Sequence, residues 1–174
     1  TLEGRQNKFR SHPSIDAWML QFGNSPYGFQ PRFRCLVLIG GTQQGKTSKG
    51  MSLFGSTKTL KVSCGNCGPG VLPSLSRFDR QHHDAILFDE VRTDQVLNNR
   101  EVFQANLYAQ TLGQSACNPF AYSVWVYHVA MILCTNSFEI NATDLSEGDR
   151  DWLGGDKNLV IVQLAAEEKW FMES

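Results

Sequence analysis

An α/β sandwich, with a largely parallel central sheet of about five strands flanked by helices, is the fold class the sequence predicts. Three observations predict it. Continuous apolar runs of strand length at Cys35–Ile39, 85–88 and 129–134 suit parallel strands covered on both faces. A glycine-rich segment, residues 40–47, follows the first run directly. Strand-like and helix-like stretches then alternate along the chain, as they do where crossover helices join parallel strands.

Each element follows from local pattern. Residues 1–13 are polar, carry Arg5, Lys8 and Arg10, and read as an arm or linker. Ser14 is placed to cap a short helix through Phe22, with Ile15, Trp18, Met19 and Phe22 on one face as core packing. Residues 1–33 are therefore expected to form an arm and short helix, and residues 34–174 the main domain. Residues 23–31 read as a loop, and Cys35–Ile39 as the first buried strand. A helix is expected from Lys46 to about Phe54, and a second strand over 60–63. The Gly/Cys/Pro stretch 64–73 interrupts the pattern. Residues 85–88 form a strand ending at Asp89-Glu90, and a helix is expected over 99–112. Strands are expected at 122–127, 129–134 and 159–164.

Bulk composition narrows the function classes. With 174 residues and 41% hydrophobic content, the chain has material for one core of ordinary size. Sixteen basic residues against seventeen acidic leave a net charge of -1, so any nucleic-acid contact is a local patch. No apolar run approaches the roughly 20 residues that cross a bilayer, and no membrane partner is expected. Starting at Thr1 without a charged-then-apolar leader, the chain reads as an excised or processed domain of an intracellular protein. Its five cysteines then read as free thiols rather than a disulfide framework.

The chemistry sits after the first strand. Gly40, Gly41, Thr42, Gln43, Gln44, Gly45, Lys46 and Thr47 fit G-x-x-x-x-G-K-[ST], a P-loop, with a buried strand before it and a helix opening at its lysine. Glycines let backbone amides wrap phosphate oxygens, and the helix N-terminus, continuing into Ser48, adds partial positive charge. Lys46 is expected to reach the β- and γ-phosphates of ATP, and Thr47 to present its hydroxyl to a bridging Mg2+ ion. Hydrolysis needs a second group on the metal and a third on the water. Asp89 and Glu90, at the carboxyl end of a buried strand, fit those tasks as metal-side carboxylate and general base. Asn136 ends a further strand and is placed to bond a γ-phosphate oxygen and the lytic water.

The ordered set GGTQQGKT, ILFDE at 86–90 and CTN at 134–136 resembles superfamily 3 helicases. Within that superfamily it looks most like the helicase domain of replication initiators from small circular single-stranded DNA viruses and related plasmids. The resemblance implies an AAA+-like P-loop NTPase sandwich and an ATPase that moves on single-stranded DNA. It further implies a homo-oligomeric ring, commonly a hexamer, and a host-nuclear location for a viral initiator. Rings of this family send a basic residue into the neighbouring subunit's site, and Arg150, in a loop with Asp144, Glu147, Asp149 and Asp151, is the candidate finger. The family has a DNA-contacting hairpin where this chain has Leu112-Gly113-Gln114-Ser115 followed by the 122–127 strand. The family's usual lysine is missing there, which keeps open a second expectation: a nucleotide-dependent assembly module with little unwinding activity.

Other features weigh less. Cys64-Gly-Asn-Cys67 has the spacing of a zinc half-site, but its nearby partners, His82 and His83, are adjacent to each other rather than spaced as ligands. The pair follows a strand rather than opening a helix, which argues against a redox role. Asn141-Ala-Thr143 matches a glycosylation acceptor that an intracellular chain would not use. Tyr122, Trp125 and Tyr127 have the alternation of sheet packing and also the chemistry to stack bases.

Overall fold

The computed structural model describes residues 12–22, 33–41, 44–106, 108–112, 122–138, 145–155 and 157–163. Its centre is a five-stranded parallel sheet. In chain order the strands are β1 (Cys35–Ile39), β2 (Thr59–Ser63), β3 (Ala85–Asp89), β6 (Ala130–Thr135) and β7 (Leu159–Gln163), arranged β2-β3-β6-β1-β7. A separate antiparallel pair, β4 (Gln110–Leu112) and β5 (Tyr122–Val124), stands apart from it. The central sheet with helices on both faces is compatible with a P-loop or a Rossmann-like fold.

The apolar runs explain the layering. Successive strand side chains point to opposite faces, so a run such as Cys35–Ile39 must be covered twice. Cys35, Val37 and Ile39 join one core with Ile86, Phe88, Met131 and Leu133, and Leu36 and Leu38 join the other with Ala85, Leu87, Ile132 and Cys134. The second core is closed by α1 (Pro13–Met19) and α2 (Lys46–Phe54), through Ile15, Trp18 and Leu53. The first is closed by α3 (Thr93–Asn98), α4 (Arg100–Phe103) and α5 (Glu147–Gly154), through Val96, Val102, Phe103 and Leu153.

Three expectations need correcting. The first helix is capped by the His12 side chain, which accepts the Ser14 N–H, because Pro13 sits at the first helical position where a missing N–H costs nothing. Of the helix expected over 99–112, only the four residues of α4 are helical among the described residues, and β4 occupies the far end of the range. Ala105, with φ 47°, turns the chain out of the helix just after Phe103, and Asn99 separates α4 from α3: its side-chain amide donates to Gln95 O at 2.8 Å and Gly70 O at 3.1 Å, while its backbone leaves the helical region. The stretch expected as a strand over 122–127 ends at Val124. The expected end of the last strand, Leu164, lies outside the described residues.

Trp18 anchors α1. Its ring is fully buried, and its Nε1 donates to Arg34 O at 2.7 Å, just before β1. Gln21 completes the tie by donating to the same carbonyl and accepting the Arg34 N–H, each at 3.0 Å. Burying the indole contributes about 3 kcal/mol, and the hydrogen bonds fix where β1 begins.

Candidate functional site

Parallel strands deliver all their carboxyl ends to one edge of the sheet, and a wide cleft lies there. It has a volume of about 1210 Å³, wide enough for a nucleoside triphosphate. The turn after β1, the first turn of α2 and the ends of β3 and β6 form its floor.

Gly45 caps α2 with φ 85°, a left-handed conformation that a side chain resists, so the lysine-bearing turn is built on a glycine. Lys46 then folds over the turn. Its Nζ donates to Gly40 O at 2.7 Å, Gly41 O at 3.0 Å and Asn136 Oδ1 at 2.8 Å. Ninety positions separate Lys46 from Asn136, and adjacency of β1 and β6 brings them together. Burial pushes the Lys46 ammonium below the ordinary lysine range, against an upward pull from Cys134 and Asp89. Gln44 is buried behind the turn, where its Oε1 accepts the Gly41 N–H. Thr42 and Gln43 lie outside the described residues. Ser48 lines the cleft at the start of α2.

Asp89 holds the centre. Its Oδ1 accepts the Thr47 hydroxyl at 3.3 Å and the Glu90 N–H at 3.1 Å, and its Oδ2 lies 3.9 Å from Lys61 Nζ. The Thr47 and Asp89 oxygens form a hard donor pair, suited to magnesium rather than to a softer metal. Among the described residues no cluster of three or more His, Cys, Asp or Glu side chains could hold a metal by itself, so further ligands would be water and substrate oxygens. Cys64, Cys67, Cys35 and Cys134 are free thiols. Cys134 lies against this floor, and burial chiefly, with Asp89 adding to it, pushes its thiol up to about 12.

Glu90 has φ 55°, a left-handed conformation in a residue with a full side chain. Such backbone costs about 1–3 kcal/mol and persists where surrounding contacts hold it, often at functional sites. The Glu90 side chain lines the cleft and lies against the backbone of Gly65, which leaves no space for a β-carbon there.

Arg150 is on α5 rather than in a loop. Ser146 caps that helix by accepting the Asp149 N–H at 3.1 Å. Arg150 Nε and Nη2 donate to Leu145 O at 3.2 and 2.9 Å, so the guanidinium braces its own helix start outside the cleft lining. The chain brings Lys46, Thr47, Asp89, Glu90 and Asn136 together, and leaves Arg150 at the periphery. Unanticipated wall residues are Arg92, whose Nη2 donates to Cys67 O at 2.8 Å, and Asp149, which is paired with Arg100. The S-x-x-D signature at Ser146 was the available signal for the helix under Asp149.

Compared with known proteins, the chain matches no protein-family model, and no curated protein matches it significantly. Among the described residues no helix is long and apolar enough to cross a membrane.

Proposed function

We propose that this chain is a P-loop ATPase domain of the superfamily 3 helicase type, hydrolysing ATP with Mg2+ and coupling it to movement on single-stranded DNA within a replication initiator. The observation that carries the ATPase half is the meeting of three strand ends at one turn: Lys46 with Asn136, and Thr47 with Asp89. A fortuitous glycine-rich turn has no reason to gather two acidic residues from the end of β3 and an amide from the end of β6.

The roles follow from position. The amides of the turn and Lys46 bind the phosphates, exchanging the lysine's carbonyl partners for phosphate oxygens. Thr47 and Asp89 would hold the magnesium ion, which neutralises phosphate charge when bound. Glu90, held in its strained conformation, accepts a proton from the attacking water, and Asn136 orients that water while staying neutral. In a ring, Arg150 would serve the neighbouring subunit after releasing Leu145 O.

A second reading is a nucleotide-dependent assembly module without unwinding activity. The absence of a lysine at Leu112-Gly113-Gln114 favours it; Gly113 and Gln114 lie outside the described residues.

The test is Mg2+-dependent ATP hydrolysis by the purified chain, with and without single-stranded DNA, beside Lys46→Ala. Turnover that needs Lys46 and rises with DNA supports the motor. ATP binding without turnover, at concentrations that permit assembly, supports the module. Neither binding nor turnover overturns both.

A further inference from the structure

The opposite pole of the sheet, where the strands begin, carries a second constellation. Arg80, in the segment entering β3, donates from one nitrogen, Nη1, to Trp125 O at 3.1 Å and to Tyr127 O at 2.7 Å. Its guanidinium lies 4.1 Å from the centre of the Trp125 ring. The Trp125 and Tyr127 rings are within 15° of parallel, with centres 6.3 Å apart. Trp125 is 46% exposed, whereas Trp18 is fully buried, so this indole is displayed rather than used as core. A second tie rigidifies the region: Leu75 N donates to Tyr122 Oη at 2.8 Å, latching the same segment to β5. Beside the stack a recess of about 390 Å³ is lined by Arg80, His83, Asp84 and His128.

From this geometry we propose that Arg80, Trp125 and Tyr127 form a stacking platform for an unpaired base of single-stranded nucleic acid, remote from the phosphate cleft. The choice of polymer rests on the motor reading; the surface does not. An exposed indole offers a face to any base, and a guanidinium fixed over the ring adds cation–π attraction while the rest of its five-donor fork is available to a phosphate. Rings of a paired duplex are already stacked and gain nothing here. The surroundings also differ from a protein interface core, which is depleted of charge: Arg77, Asp79, Arg80, Gln81 and His82 are all exposed. The same stretch carries the cations Arg77 and Arg80 beside the carboxylates of Asp79 and Asp84, and Lys58 O accepts the Asp84 N–H at 2.7 Å. Asp79 is itself engaged, 3.6 Å from His82 and accepting the Gln81 N–H. Stacking, rather than net charge, therefore does most of the holding.

The test uses the full chain without nucleotide, so its outcome is separate from that of the hydrolysis assay. Fluorescence anisotropy reads binding of a short labelled oligothymidylate, its abasic counterpart of equal charge, and the matching oligouridylate. The platform predicts that Trp125→Leu weakens oligothymidylate binding roughly tenfold, that Trp125→Tyr retains most of it, and that the abasic strand binds the wild type as poorly as the intact strand binds Trp125→Leu. The affinity should fall shallowly with salt, with a logarithmic slope of about -1. The thymidine and uridine arms separate DNA from RNA. The proposal is overturned if the wild type binds no strand, if the abasic strand binds equally well, or if Trp125→Leu binds like the wild type. It is also overturned if the variant, folded by circular dichroism, changes self-association in sedimentation while strand binding is untouched.

Discussion

Gly50 stands at the middle of α2, where replacing glycine by alanine ordinarily stabilises a helix by about 1 kcal/mol. Here the fold reverses that expectation. A β-carbon at Gly50 would come within 2.6 Å of Leu87 Cδ1, 3.1 Å of Ile132 Cγ2 and 3.7 Å of Cys134 Sγ. Carbon atoms rest about 3.5–4.0 Å apart, so Leu87 must leave its rotamer or the helix must lift by roughly 1 Å. Leu87 and Ile132 are fully buried on β3 and β6 and have no solvent side to yield toward. Overpacking of this kind costs about 1–3 kcal/mol, which after the helical gain leaves Gly50→Ala about 0–2 kcal/mol less stable. Gly50→Val, with two further carbons and a branched β position, should lose more than 2 kcal/mol, roughly the upper end of that range. The functional cost is larger, because α2 carries Lys46 and Thr47. Lifting it stretches the 3.3 Å Thr47–Asp89 bond past useful length, so nucleotide affinity should fall together with stability. Urea unfolding followed by circular dichroism, paired with binding of a fluorescent ATP analogue, measures both. A Gly50→Ala protein that gains the full 1 kcal/mol or so of helix propensity and keeps wild-type affinity would refute the close seating of α2 on the sheet.

Glu90→Gly should raise stability by up to about 1 kcal/mol in thermal melts, by relieving the φ of 55°, while abolishing turnover; Glu90→Gln should bind ATP without hydrolysing it. A Glu90→Gly protein that is less stable, or either variant remaining active, would remove the case for strain held at a catalytic base. Asn136→Ala should slow single-turnover hydrolysis by about 10²-fold with the fold intact. Asn136→Asp, which sets a carboxylate 2.8 Å from Lys46 where phosphate oxygens must come, should lose nucleotide affinity as well; equal affinity in both variants would count against that placement. Cys64 and Cys134, with thiols pushed up to about 12 chiefly by burial, should be alkylated on the order of a thousandfold more slowly at pH 8 than an ordinary cysteine. Among the cysteines in the described residues, half-buried Cys67 should react first by intact-mass and peptide analysis, and rapid modification of Cys134 in the folded chain would contradict its burial.

What was legible in the sequence and what was not divides along a physical line. β1, β3 and β6 announced themselves because a strand buried on both faces admits almost no polar residue, and α2 did so because a glycine turn and a lysine mark its start. The carboxylates at the end of β3 and the amide beyond β6 were therefore locatable before any fold was known, since strand ends define one edge of a parallel sheet. The opposite wall of the cleft was hidden for the converse reason: it is built from polar side chains satisfied by tertiary contacts. Gln95 shows how. Its side chain is completely buried, donating to Cys64 O and Val71 O at 3.0 Å each and accepting the Arg92 N–H at 2.8 Å. In sequence it is one polar residue in a polar stretch and signals an exposed face. In the fold it is the post that ties the 64–71 segment to α3, and so sets where Arg92 and the backbone around Glu90 stand. α5 was missed on the same grounds, because four acidic or basic residues surround its one buried apolar residue, Leu153. Two of them act at the cleft's margin, Asp149 held by Arg100 and Arg150 braced on Leu145 O. A pattern of apolar periodicity finds the elements that bury hydrocarbon, whereas this wall is held by hydrogen bonds whose partners lie up to 49 positions away, and only the assembled fold brings them into range.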